Sequence, residues 1–175
     1  MHKLSLKPLY SRQDIAAKVE DLASRIDADY QGAEILMVAV LKGSVLFTAD
    51  LARAVRSPVL VDFMRVASYG AGTCTSGRIE IRKDLEMDIA GKDVLIVEDI
   101  IDSGLTLDAL RQRLVARHPA SLKICTLIDK TARREVSVPV DYVGFSLDDG
   151  FIVGYGLDLD ERYRDLPDIH LVEMN

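Results

Sequence analysis

The sequence predicts an α/β domain with a mainly parallel central sheet flanked by helices, and three observations carry that expectation. Short apolar runs rich in β-branched residues recur at Ile35 to Leu41, Val59 to Val66, Val94 to Val97 and Leu122 to Ile128. Strands that are apolar on both faces belong in a sheet covered on both sides, and helical patterns stand between these runs to cover it. The third observation is one stretch, VLIVEDIIDSGLT from Val94 to Thr106, in which hydrocarbon passes straight into three carboxylates and then a glycine flanked by hydroxyls. Ligands of open α/β sheets bind beyond the carboxyl ends of the strands, so Glu98, Asp99 and Asp102 are expected to face a crevice.

Taken in order, Ser11 with Asp14 three residues on reads as a helix start, and Ile15, Val19, Leu22 and Ile26 continue it at helical spacing. The run from Ile35 reads as a strand that stops at Lys42-Gly43-Ser44 before a helix over Val45 to Val55. A second strand follows at Val59 to Val66. The segment Ser68 to Lys92, with Gly70, Gly72 and Gly77, lacks a clear period, and a loop of that size within a compact domain is usually functional or mobile. The run at Val94 leads through the acidic turn into a helix over Leu105 to Arg117, and further strands are expected at Leu122 to Ile128, Val140 to Leu147 and Phe151 to Tyr155. No repeat or low-complexity linker interrupts the 175 residues, of which 49% are hydrophobic, so one domain with a sizeable core is expected.

Composition excludes several function classes. The 22 basic and 28 acidic residues give a formal charge of −6, which argues against a surface-wide nucleic-acid footprint, so an anionic small substrate needs locally placed cations. The apolar runs fall far short of the roughly 18 residues of a membrane span, and the opening MHKLSLKPLYSRQD has no apolar core of a signal peptide. A cytoplasmic protein is expected. Cys74 and Cys125 have neither CxxC spacing nor a nearby histidine pair, and His2, His118 and His170 are scattered, with no nucleophile arrangement around them. Gly72 to Gly77 has the glycine spacing of a P-loop, but Arg78-Ile79 stands where Lys-Ser/Thr is needed, and no GxGxxG follows a strand.

The chemistry concentrates at Asp102-Ser103-Gly104-Leu105-Thr106, which opens a helix. Unpaired backbone N–H groups and the helix dipole attract phosphate there, and Ser103 and Thr106 add hydroxyl donors. Carboxylates and phosphate repel on the same atoms. The arrangement therefore suits a ligand with a terminal phosphate and, a few ångströms away, neutral hydroxyls, as in a sugar 5-phosphate. The plain alternative is that Asp102 and Ser103 cap the helix while Glu98 and Asp99 are solvated loop residues.

The order of hydrophobic strand, Glu-Asp, two apolar residues and Asp-Ser-Gly-x-Thr resembles the phosphoribosyl-diphosphate motif of type I phosphoribosyltransferases. The resemblance extends over nearly the whole chain and is to the hypoxanthine-guanine phosphoribosyltransferase family. Leu41-Lys42-Gly43-Ser44 resembles its pyrophosphate loop, Ser68-Tyr69-Gly70 the start of its mobile catalytic loop, and Asp129-Lys130-Thr131 its purine-recognition strand end. Phe151 to Asp158 and Tyr163 to Pro167 match near the C-terminus.

That resemblance implies a fold of one phosphoribosyltransferase domain over 1–175, with a mobile loop at about 68–92 and a small hood formed by the N- and C-terminal segments. It implies transfer of 5-phosphoribosyl from its 1-diphosphate to N9 of hypoxanthine or guanine in purine salvage, with Mg2+ and a homodimeric or homotetrameric assembly. The family's Leu-Lys peptide is often cis, a state costing ~3–4 kcal/mol for a non-proline residue, and this carries over to Leu41–Lys42. Pyrophosphate is implied at Leu41, Lys42, Gly43, Ser68, Tyr69 and Arg164, ribose at Glu98 and Asp99, and the 5-phosphate at residues 102–106. Lys130 is implied to donate to the purine 6-oxygen, Phe151 to stack on the base, Ile152 and Asp158 to read its edge, and Asp102 to act as base near N7. Metal ligation is implied for Asp158, Glu98 and Asp99. On spacing alone, Phe151 is equally a core residue, and Lys130 an exposed strand end. Ser103 stands where threonine is frequent, and Leu105 where lysine can occur, leaving one fewer cation on the phosphate side. A sensor of the diphosphate that binds RNA would share the fold, but the acidic balance and the purine segments speak against it.

Overall fold

In the computed structural model, which describes residues 4–68 and 79–174, the chain runs β1 (Leu4–Tyr10), α1 (Arg12–Tyr30), β2 (Ile35–Val40), α2 (Val45–Ala54), β3 (Val59–Ser68), β4 (Ile79–Lys83), β5 (Asp93–Ile101), α3 (Leu105–Val115), β6 (Ser121–Lys130), β7 (Tyr142–Leu147), β8 (Ile152–Val153) and β9 (Ile169–Met174). Six strands form one sheet in the order β4-β3-β2-β5-β6-β7, parallel except for β4, and β1-β9-β8 form a small antiparallel sheet.

The strands are apolar on both faces because both are covered, and alternate residues divide between two cores. Met37, Leu95, Val97, Cys125 and Leu127 pack with Leu22 and Ile26 of α1 and Phe47 and Leu51 of α2. Leu36, Val38, Ile96 and Ile124 pack with Leu110 and Leu114 of α3. The expected start of α1 is present in full. Ser11 Oγ accepts the Asp14 N–H at 3.2 Å, the Asp14 carboxylate accepts the Ser11 N–H at 2.9 Å, and Ile15, Val19, Leu22 and Ile26 form the buried face.

Five elements depart from expectation. Ile79–Lys83 is a strand inside the segment read as lacking a period; Ile79 and Ile81 alternate with Glu80 and Arg82, a signal only a few residues long. The run at Phe151 shrinks to Ile152–Val153, because Gly154 and Tyr155 turn the chain at φ +103° and +49°. The acidic residues Glu98 and Asp99 lie within β5 rather than after it, as Glu98 still pairs with Thr126 of β6. The terminal strands β1 and β9, half-buried and interrupted in register at Pro8, carry no long apolar run to announce them. Residues 69–78 of the loop expected to be mobile, Tyr69 and Cys74 among them, lie outside the described residues.

This order fixes the site. From β2 the chain crosses through α2 to β3 on one side, whereas β5 leads through α3 to β6 on the other, so the sequence reverses direction between β2 and β5. The crevice at such a switch point lies beyond the carboxyl ends of those two strands, where residues 41–44 and 98–106 meet.

Candidate active site

Gly43 brings the turn after β2 directly against β5. A Cβ at Gly43 would overlap the Asp99 carboxylate, and one at Gly156, whose φ is +98°, would overlap the Gly43 carbonyl. Only glycine at both positions lets this turn lie between the acidic strand and the C-terminal segment. The Leu41–Lys42 peptide is cis, the Leu41 N–H donates to the Met64 carbonyl at 2.8 Å, and Ser44 Oγ donates to the Val40 carbonyl at 2.7 Å.

Two cavities lie side by side at the carboxyl ends of the strands and share Ile100 and Asp102. One, of about 250 Å³, is lined by Glu98, Asp102, Ser103, Gly104 and Thr106 with Val40, Val66 and Leu107. It sits at the start of α3, which Gly104 opens at φ +85° without a side-chain cap from that residue, leaving backbone donors for an anion. Leu105 is the first residue of α3 and lines neither cavity. The other, of about 520 Å³, is lined by Asp99, Asp102, Lys130, Phe151, Ile152 and Asp158 among others. The residues expected at the purine thus share one cavity with Asp102. A separate cavity of about 370 Å³, between α1 and α2, contains none of them.

Burial removes the plain alternative for two residues. Phe151 is 50% exposed on the cavity wall, so it is not core. Lys130 is only 6% exposed, and its Nζ lies 3.9 Å from a carboxylate oxygen of Asp102 and 3.9 Å from one of Asp149. A buried ammonium with partners at that distance is short of close hydrogen bonds, as a donor awaiting a ligand oxygen would be. Asp102 Oδ1 is likewise buried without a partner. Burial raises the pKa of both Glu98 and Asp99 above the ordinary carboxylate range, Glu98 most strongly, with the charge of Asp99 as the second cause.

Arg164 binds the C-terminal segment to this centre. Its guanidinium donates to the Gly156 carbonyl at 2.7 Å and pairs with Asp158 at 2.9 Å, while its buried Nε has no partner. Because Gly156 rests on Gly43, these contacts put Arg164 beside the turn that carries Lys42.

Sequence reasoning passed over Arg134. Its Nε donates to the Asp102 carbonyl at 3.0 Å, one terminal nitrogen donates to the Lys130 carbonyl at 3.1 Å, and the same nitrogen pairs with the Asp129 carboxylate. One side chain therefore ties the end of β6 to the loop before α3. Its partners are near in sequence on one side and 32 residues away on the other, so no contiguous pattern marks it.

Residues 5–160 match the family profile of the phosphoribosyl transferase domain. The chain belongs to the phosphoribosyltransferase family. Within it, the chain is 51% identical to a hypoxanthine phosphoribosyltransferase of Salmonella typhimurium, over 94% of each chain. It is 49% identical to a hypoxanthine-guanine phosphoribosyltransferase of Mycobacterium tuberculosis, covering 90% of this chain and 81% of that one. A crystal structure of a hypoxanthine-guanine phosphoribosyltransferase from Bacillus anthracis, with a HEPES molecule in its active site, superposes with a TM-score of 0.92 at 44% identity, over 98% of this chain and 100% of that one. The fold is thus that of type I phosphoribosyltransferases. No helix among the described residues is long and apolar enough to cross a membrane.

Proposed function

We propose that the chain transfers a 5-phosphoribosyl group from 5-phosphoribosyl 1-diphosphate to N9 of hypoxanthine or guanine, giving the nucleotide and pyrophosphate, as a purine-salvage enzyme of the cytoplasm. The observation that carries this reading is the pair of cavities meeting at Asp102: one offers helix-start amides and hydroxyls, the other an exposed aromatic ring and a buried lysine. A single ligand spanning both must carry a phosphate at one end and a planar, oxygen-bearing base at the other.

In this reading the first-turn amides of α3, with Ser103 and Thr106, hold the 5-phosphate, and Glu98 and Asp99 accept from the ribose hydroxyls. Those two carboxylates also stand beside the anomeric carbon, where positive charge develops as the bond to pyrophosphate breaks. Lys130 donates to the purine 6-oxygen, which selects 6-oxo over 6-amino bases, because an amino group would leave the buried ammonium facing another donor. Phe151 stacks on the base, and Ile152 and Asp158 meet its edge. Asp102 accepts the proton the base loses as N9 attacks. The Lys42 and Gly43 amides, Ser68, Tyr69 and Arg164 receive the leaving group, Arg164 as a fork, while the Leu41 N–H that sequence reading also assigned to pyrophosphate is engaged by the Met64 carbonyl.

Among the described residues no cluster of three or more metal-ligating side chains occurs. Magnesium keeps several waters and takes one or two carboxylates plus substrate phosphate oxygens, and Asp158 and the Glu98–Asp99 pair, which line the two adjoining cavities, would supply the carboxylates. When bound, the metal neutralises the diphosphate. The assembly in this reading is a homodimer or homotetramer. Nucleotide formation from each purine, with and without magnesium, tests the whole assignment; a folded protein that turned over adenine but neither 6-oxopurine would refute the role of Lys130.

A further inference from the structure

The two cations assigned to pyrophosphate are not free of each other. Lys42, on the turn after β2, and Arg164, on the C-terminal segment, both reach the same carboxylate oxygen of Glu161, Lys42 Nζ at 2.9 Å and an Arg164 terminal nitrogen at 3.3 Å. The loop that carries Glu161 is held for this contact. Its backbone N–H donates to Asp158 at 2.9 Å and its φ is +64°, a conformation an L-residue adopts only where the surroundings favour it. The pairing from Lys42, then that from Arg164, holds the Glu161 carboxyl below the usual range.

We infer that Glu161 is a positioning residue: an internal counter-ion that bridges Lys42 and Arg164 in the free enzyme and must release them when the diphosphate anion arrives. This rests on the proposed reading of the pyrophosphate site. Lys42 Nζ and an Arg164 terminal nitrogen each turn an N–H toward Glu161, so those donors, and the charge they share with the carboxylate, are contested when a phosphate oxygen approaches. The buried, unpartnered Nε of Arg164 marks capacity that the Glu161 bridge leaves unused. The contact is solvent-facing, with the Glu161 side chain 61% exposed, so it is weak enough to exchange. Its two effects oppose each other: it keeps the cations near each other, and it competes with the leaving group for them. By this account competition dominates, so the native carboxylate weakens pyrophosphate retention and speeds its release.

The test is magnesium pyrophosphate titrated calorimetrically into the unaltered enzyme, Glu161→Gln and Glu161→Asp, with steady-state kinetics on each. Glu161→Gln is expected to bind pyrophosphate about 2–10-fold more tightly, the range set by one or two exposed ion pairs, and to lower KM for the diphosphate substrate with KM for the purine and the melting temperature unchanged. Glu161→Asp keeps the charge but is too short to span both cations, so it is expected to follow Glu161→Gln. Binding by Glu161→Gln equal to or weaker than that of the unaltered enzyme overturns the inference, as does Glu161→Asp behaving like the unaltered enzyme, which would assign the effect to charge at a distance. If the unaltered enzyme bound no pyrophosphate yet formed nucleotide, the site assignment itself, and the inference with it, would fall.

Discussion

Asp102 stands where the two cavities meet, with one carboxylate oxygen buried and unpartnered and the other 3.9 Å from Lys130. Replacing it with asparagine keeps the shape and removes the basic oxygen, so turnover is expected to fall ~10²–10⁴-fold while affinity for the diphosphate, held largely by backbone donors, changes little. Unchanged kcat in steady-state assays would take Asp102 out of the chemistry. Arg134 acts on the same residues from behind. Arg134→Ala removes the guanidinium donors from the Asp129 carboxylate and two carbonyls, and is expected to cost about 2–4 kcal/mol in denaturant unfolding. In the folded fraction it should raise KM for the purine. The acidic and hydroxyl residues were legible in the sequence because strand, turn and helix start are contiguous, so one local pattern holds all of Glu98 to Thr106. Arg134 and Glu161 were not, since each acquires its role only when the fold brings a distant loop to it.

At the scale of elements, the site depends on how closely turns approach strands. Gly43 lies between Asp99 and Gly156, with no room for a methyl group on either side. Gly43→Ala must displace the Asp99 carboxylate, at a cost of about 1–3 kcal/mol, and is expected to raise KM for the diphosphate at least tenfold with the fold retained by circular dichroism. A second element contact governs acid stability. Burial works to raise the pKa of Asp27, at the end of α1, but the N–H groups of Arg56 and Ser57, which it accepts at 3.0–3.1 Å, outweigh that and hold it below its ordinary value of 3.8. A carboxylate with a depressed pKa stabilises the fold above its unfolded value, and that contribution is lost as pH falls through the folded one. Asp27→Ala is therefore expected to be less stable by about 1–3 kcal/mol at neutral pH, with the gap closing below about pH 4 in a series of urea titrations. A gap independent of pH would show that the amides are satisfied otherwise. Elements with long apolar runs were readable from sequence. Those that lean on partners, β4 and the terminal strands β1 and β9, were not, because alternation over a few half-buried residues looks like a loop until the neighbouring strand is known.

For the whole molecule, the strand order places a switch point between β2 and β5, and every residue group assigned to substrate that the structure describes lies on that one edge. The fold alone would serve a diphosphate sensor equally well. What separates an enzyme from a sensor is the second cavity, with Lys130 and Phe151, joined through Asp102 to the phosphate cradle. The most direct measurement is chromatographic detection of nucleotide and pyrophosphate after incubation with 5-phosphoribosyl 1-diphosphate, magnesium and hypoxanthine, guanine or adenine in parallel. The account predicts IMP or GMP formed one-to-one with pyrophosphate, no AMP, and loss of nearly all turnover in Asp102→Asn. A folded chain that binds the diphosphate yet forms no nucleotide from either 6-oxopurine would contradict it.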